Sequence, residues 1–350
     1  MYDSTLYPKY SLDASIAEFF LQTSATREEC DVKARELVGG EVVPIPVQGI
    51  CSYSVYAGPT SEFVVQFRLK SLMLKMETVA LAREIYGSLV PDTSFHGYLG
   101  EGGKETLAVY VMNRIRDMSY LDFILENGSA PENSEENFVW RKTLMSDVAR
   151  FFAISWKAPQ HVDLECRENL RQRYTNDLDL LLHHLPPRFH QIIQKCLDSM
   201  EAIVSLPMVL VHHSFNSDDI IIDRTSCRLV GVVDWAEAEI CPFGQNLKCI
   251  QGLTGALHLK NGWRRYEDYE SLQDTFWSIF QEEVGGLSAE TMETIKTARI
   301  MGLLRTRGFT ARLANMPPAT PIGDDERGRY NMLSLDGFLI NPATRFEDLN

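Results

Sequence analysis

The chain has 350 residues, and 34 Lys plus Arg against 48 Asp plus Glu leave a formal charge of −14. With 45% hydrophobic and 23% charged residues it has the composition of a globular protein with enough apolar chain for a sizeable core, which excludes disorder as its main state. The acidic balance leaves no surplus of cations for phosphates, so no nucleic-acid partner is expected, and no apolar run approaches the ~18–20 residues of a spanning helix, so no membrane partner is expected either. The opening residues carry Asp3 and no apolar core of a secretory signal. Seven scattered cysteines without CxxC spacing suggest neither a disulfide framework nor a zinc site, and read as thiols of a reducing cytoplasm.

In chain order, β-branched and aromatic runs at 42–48, 52–57 and 62–67, separated by Gly49 and Gly58-Pro59, predict strands. Residues 72–89 switch to helical spacing, with Leu74, Leu81 and Ile85 on one face and Gly87 and Pro91 as stops. A hairpin over 94–99 and 106–112 follows, turning at the glycines of 100–103. Helices are predicted over 120–127, 134–156, 168–184 and 188–204, the last two separated by Pro186-Pro187. Three short strands, 208–211, 220–223 and 228–233, interrupt them before two more helices over 269–283 and 288–304. The last 40 residues, rich in Pro, Gly and Asn, read as an ordered-looking but irregular tail. The order predicts a two-lobed α+β protein, with a strand-rich lobe over 1–112 containing one long helix and a mainly helical lobe over 113–350.

Two stretches concentrate polar groups beside strands. One runs Val209-Leu-Val-His-His-Ser-Phe-Asn-Ser-Asp-Asp-Ile-Ile-Ile-Asp223; the other runs Gly231-Val-Val-Asp-Trp-Ala-Glu-Ala-Glu239. The short hairpin-like gap between Asp219 and Asp234 lets both carboxylates converge, and two hard oxygen ligands suit Mg²⁺. Adjacent residues on a strand point apart, so a Ser214–His213 nucleophile pair is weakly supported. His183-His184 sits on a helix and does not form a metal pair.

With the runs Ala82-Arg-Glu-Ile-Tyr-Gly87, Phe151-Phe-Ala-Ile-Ser-Trp156 and Asp234-Trp-Ala-Glu-Ala-Glu-Ile-Cys-Pro-Phe-Gly244, the chain resembles the aminoglycoside phosphotransferase and choline-kinase-like family, which has a protein-kinase-like fold. Within it the likeness is to fungal small-molecule kinase homologues, and it covers roughly 42–316. The resemblance implies ATP and Mg²⁺ as cofactors and a small-molecule metabolite as partner; the oligomeric state stays open. The family's catalytic loop reads His, Gly or Lys, then an Asp base, with a metal-binding Asn five residues on and a later Asp on the metal. Mapped here, these positions hold His212, His213, Ser214, Asp219 and Asp234, so the base is not a carboxylate and the loop is degenerate. Asp219 and Asp234 are the metal candidates. The helix glutamate that pairs with a strand cation maps to Glu84. The strand position itself holds Gln66, with Arg68 two residues on and on the same side. Met112 marks the hinge where adenine is met, with the lobes joined near 112–117. His212 is a candidate for holding loop backbone or for catalysis, and His213 for acid–base work or a solvated loop position.

Three functions remain open. The departures at Ser214, Asp219 and Gln66 fall in one functional set, which favours non-phosphoryl acid–base chemistry, such as dehydration, cyclisation or isomerisation in secondary metabolism, in an interlobe cleft. On that reading Ser214→Asp does not improve the native reaction. The alternatives are an ATP- and Mg²⁺-dependent phosphotransferase, and a non-catalytic pseudokinase.

Overall fold

The computed structural model describes residues 10–127, 132–310, 312, 313 and 315–349. The chain divides into two compact units, Met1–Arg116 with Leu313–Pro317, and Asp117–Arg312 with Pro318–Asn350. Among the described residues no helix is long and apolar enough to cross a membrane.

The first unit opens with two helices, α1 (Leu12–Leu21) and α2 (Arg27–Val38), where no helix was expected. Their start signals are in the sequence. The Ser11 hydroxyl accepts from the Ala14 amide, and Thr26 and Glu29 form a reciprocal capping box. The sheet follows as β1 (Val43–Pro44), β2 (Ser52–Ala57) and β3 (Phe63–Leu69), then α3 (Met76–Tyr86), β4 (Thr93–Leu99) and β5 (Leu107–Asn113). The strands are antiparallel in the order β1-β2-β3-β5-β4. The strand expected over 42–48 shrinks to two residues because Pro44 and Pro46 lack the amides a ladder needs. Ile16 and Phe19 of α1 and Cys30 and Ala34 of α2 share one core with Tyr53, Val55, Val65, Phe67, Val109 and Val111. That core takes the face of β3 bearing Val65 and Phe67, leaving Gln66 and Arg68 on the other.

The second unit runs β6 (Met118–Ser119), α4 (Tyr120–Glu126), α5 (Glu135–Lys157), α6 (Leu164–His184), α7 (His190–Asp198) and α8 (Met200–Ser205). Next come β7 (Met208–Val211), β8 (Ile220–Ile222), β9 (Leu229–Val232) and β10 (Glu239–Pro242). Then follow α9 (Ile250–Leu253), β11 (Gly255–His258), β12 (Gly262–Arg265), α10 (Tyr269–Glu283), α11 (Ala289–Arg307) and α12 (Arg329–Leu335). The helix expected over 188–204 breaks at Ser199, which ends α7 and begins α8. The tail is more regular than expected, because α12 continues into a π-helical turn over Asp336–Ile340. The short strands pair as β6-β8-β9, β7-β10 and β11-β12, all antiparallel.

Thr26→Ala removes an N-cap hydroxyl and half of the capping box, so it is expected to lower stability by about 1 kcal/mol. A shift of the urea midpoint at constant slope would show it; an unchanged midpoint would mean that α2 draws nothing from its cap.

Candidate active site

The site grows from three chain ends in the second unit. β8 and β9 form a hairpin with Ile220 opposite Val232, and the Val233 amide donates to the Asp219 carbonyl at 2.9 Å, so Asp219 and the Val233–Asp234 turn lie side by side. β7 delivers His212, whose Nε2–H donates to the Val233 carbonyl at 2.8 Å. The indole of Trp235 donates to the Val232 carbonyl at 2.9 Å, and its ring meets His212 edge-on at 4.7 Å. Between these bonds Asp234 adopts a left-handed conformation, φ 59° and ψ 62°. Asp tolerates that region better than most residues, at a cost of roughly 1 kcal/mol. Phe215 packs on Phe151 and Phe152 of α5 at 5.1 and 5.5 Å, so the Phe-Phe run of that helix is the floor of the loop.

Residues 214–219 fold on themselves. Asn216 donates through Nδ2 to the carbonyl and hydroxyl of Ser214 at 3.0 and 3.3 Å, and its side-chain oxygen accepts from the Asp218 amide at 3.1 Å. Its importance to the loop was not foreseen, although an Asn-Ser-Asp run is a turn signal. Asp219 is buried and its Oδ2 has no hydrogen-bond partner. Burial pushes its carboxyl up to about 9, helped by repulsion from Asp234 and Asp218 and opposed by hydrogen bonds from Ser214 and Asn216. Ser214, Asp219 and Asp234 are thus brought together.

The two imidazoles are placed differently. His212 is buried, and desolvation drives it down to about 4 despite the Val233 carbonyl and Asp234, so it sits neutral as a backbone clamp. His213 turns towards β10, with Nε2 3.7 Å from Glu239 Oε2 and 4.0 Å from Cys241 Sγ. Burial lowers His213 against the pull of Glu239. Burial opposes ionisation of Glu239 too, yet His213 and the paired Arg173 guanidinium hold it down at about 2.

In the first unit, Gln66 donates weakly to the Ser54 hydroxyl at 3.4 Å and its Oε1 is buried without a partner. The expected Arg68–Glu84 pair is not made. Arg68 is buried with Nε donating to the Leu72 carbonyl, while Glu84 is exposed on α3. Met112 lies inside β5, registered between Val64 and Thr93, not beyond the strand's end.

The model of the phosphotransferase enzyme family matches residues 62–268, and the chain belongs to that family. No curated protein matches it in sequence. Among solved structures, a Ralstonia eutropha JMP134 protein classed as an aminoglycoside phosphotransferase is 12% identical with a TM-score of 0.52, over 80% of this chain and 87% of that one. A type VIII aminoglycoside-3'-phosphotransferase is 16% identical with a TM-score of 0.43, over 79% and 100%. A glucosamine kinase is 14% identical with a TM-score of 0.48, over 76% and 69%. The first of these likenesses shows the kinase-like fold and no more.

The clamp has a pH signature. Unfolded, His212 takes a proton near 6.5; folded, it resists until about 4, so the unfolded state binds more protons in between. Its contribution is full above 6.5 and is lost as the pH falls towards 4, by on the order of 3 kcal/mol. His212→Gln, which keeps an N–H donor and cannot titrate, is expected to flatten that slope in urea unfolding between about pH 7 and about pH 4.5. An unchanged slope would assign the acid sensitivity to other groups.

Proposed function

We propose that the protein is a Mg²⁺- and nucleoside-triphosphate-dependent phosphotransferase acting on a small metabolite in the cytoplasm, with no carboxylate base beside the acceptor hydroxyl. The observation that carries this reading is the Asp219–Asp234 pair, in which a buried carboxylate oxygen without a partner faces a second carboxylate. A hard divalent cation held by these two groups resolves both the missing partner and the repulsion, and would neutralise charge on the transferred phosphoryl group.

The chain's own residues divide the remaining work. Asp234 presents its carboxylate from the left-handed turn, and Asp219 from the start of β8. Ser214 orients an acceptor hydroxyl by hydrogen bonding, but its own hydroxyl is too weak a base to take the proton. His212 is committed to the Val233 carbonyl and His213 faces Glu239, which leaves neither imidazole at Ser214. Losing a positioned base costs ~10²–10⁴ in rate, and phosphoryl transfer, which leans on positioning and charge, survives that loss better than most chemistry.

A second reading, acid–base conversion of a secondary metabolite without phosphoryl transfer, is favoured by the closeness of Ser214 to Asp219, a pair that needs no metal.

The test is turnover of a panel of hydroxylated metabolites with MgATP, and again with EDTA and no nucleotide. Acceptor-dependent ADP release is expected only in the first condition. Asp234→Asn should reduce it by roughly 10²-fold or more, and Ser214→Asp should raise it by at least roughly tenfold. Conversion of a metabolite in EDTA without nucleotide, unimproved by Ser214→Asp, would overturn phosphotransfer in favour of the second reading.

A further inference from the structure

Directly beyond the catalytic loop, the second unit gathers a group of ions whose charges do not balance. Arg173 is paired with Glu239, and Asp177 is shared by Arg305 at 2.9 Å and Arg312 at 3.1 Å. Arg305 also donates to Gln245 Oε1 at 2.8 Å and lies 4.0 Å over the Tyr174 ring. Among the described residues Arg307 donates to the amide oxygen of Asn331, at 3.3 Å. Both carboxylates of the group are therefore taken, although the chain as a whole is strongly acidic.

Lys248, like Arg307, is a cation without a carboxylate among the described residues. It lies on the 3-10 turn Gln245–Cys249, which α11 approaches so closely that a Cβ on Gly302 would stand 2.0 Å from the Gln245 carbonyl. The turn is thereby pinned, and the Nζ of half-buried Lys248 is held at the loop, 3.5 Å from the His213 carbonyl. That long contact is its one hydrogen bond among the described residues, and no carboxylate there lies within ion-pair distance. An ammonium has three donors and is seldom removed from water without a counter-ion. Burial lowers Lys248 to about 8, with Arg305 and Arg307 adding to the effect, so it still carries charge near neutrality.

We propose that Lys248 is the binding residue for an anionic group, carboxylate or phosphate, on the acceptor substrate, which makes that acceptor an anionic metabolite and not a polycation. The Lys248 ammonium meets the peptide that carries Ser214, so an anion anchored there brings the rest of the molecule towards Ser214 and Asp219. This rests on the phosphotransferase reading for the word acceptor, but the anion site itself needs neither nucleotide nor metal.

The test uses the full chain in EDTA without nucleotide, so that failure of phosphotransfer does not affect it. Inorganic phosphate and acetate are titrated by calorimetry into the wild type, Lys248→Gln and Lys248→Arg. Binding of at least one anion by the wild type is expected, weakened by at least roughly tenfold in Lys248→Gln and largely kept in Lys248→Arg. Phosphate binding alone would mark a phosphorylated acceptor, and binding of both anions a site that accepts carboxylates. If Lys248→Gln does not fold, a pulse of acetic anhydride on the wild type reads the same point, with the bound anion expected to protect Lys248 in the peptide mass spectrum. Equal binding by wild type and Lys248→Gln, no binding of either anion by the wild type, or no protection, would overturn the proposal.

Discussion

One hydrogen bond, from the imidazole of His212 to the carbonyl of Val233, decides what the centre of the larger unit looks like. It joins the end of β7 to the end of β9, strands that belong to different sheets. The Trp235 indole ties the next turn back to Val232, and the Val233 amide ties it across to Asp219. With the backbone held on three sides, Asp234 is kept in a conformation that an L-residue adopts only at some cost, beside a carboxylate that repels it. The stabilisation comes from apolar packing of Trp235, Phe215, Phe151 and Phe152, where each aromatic pair adds about 0.5–1.5 kcal/mol. Removing the imidazole would free the Val233 carbonyl and let the turn relax, which disperses the two carboxylates without touching either.

This division between scaffold and chemistry runs through both units. Groups that hold backbone are in place: the His212 clamp, the aromatic floor and Gly302 against the Gln245 turn. The departures from the family pattern fall instead on groups that would carry charge or move a proton. Ser214 stands where a carboxylate is expected and neutral Gln66 where a cation is expected, while Arg68 is turned to a carbonyl. Fold and ligand contacts are separable, so these substitutions leave the architecture intact.

Much of the fold was legible because its signals are local. The strands at 52–57 and 208–211 and the helices at 120–127 and 269–283 follow from β-branched runs, helical spacing and stop residues, and the structure has them within a residue or two. The α1–α2 pair went unread because α2, Arg-Glu-Glu-Cys-Asp-Val-Lys-Ala-Arg-Glu-Leu-Val, is so polar that only Cys30 and Ala34 are buried from it. Its capping box was the signal, and it lies outside the apolar pattern. At the site, the convergence of Asp219 and Asp234 follows from a short hairpin. The separate duties of His212 and His213 do not, because β10 pairs with β7 from 31 residues further on, with Glu239 opposite Val211, and it is this pairing that draws His213 away from Ser214. Lys248 had no motif at all; its position depends on how closely α11 packs on the turn.

The most direct test of the two-carboxylate centre is a Mn²⁺ titration followed by the electron paramagnetic resonance of the free ion, with wild type, Asp219→Asn, Asp234→Asn and His212→Ala in parallel, each with and without nucleotide. The account predicts one strong site in the wild type, weakened by either carboxylate change and also by His212→Ala, which leaves both carboxylates present and removes only the clamp that sets the Asp234 turn. Wild-type affinity in both carboxylate variants, or no site with or without nucleotide, would contradict it.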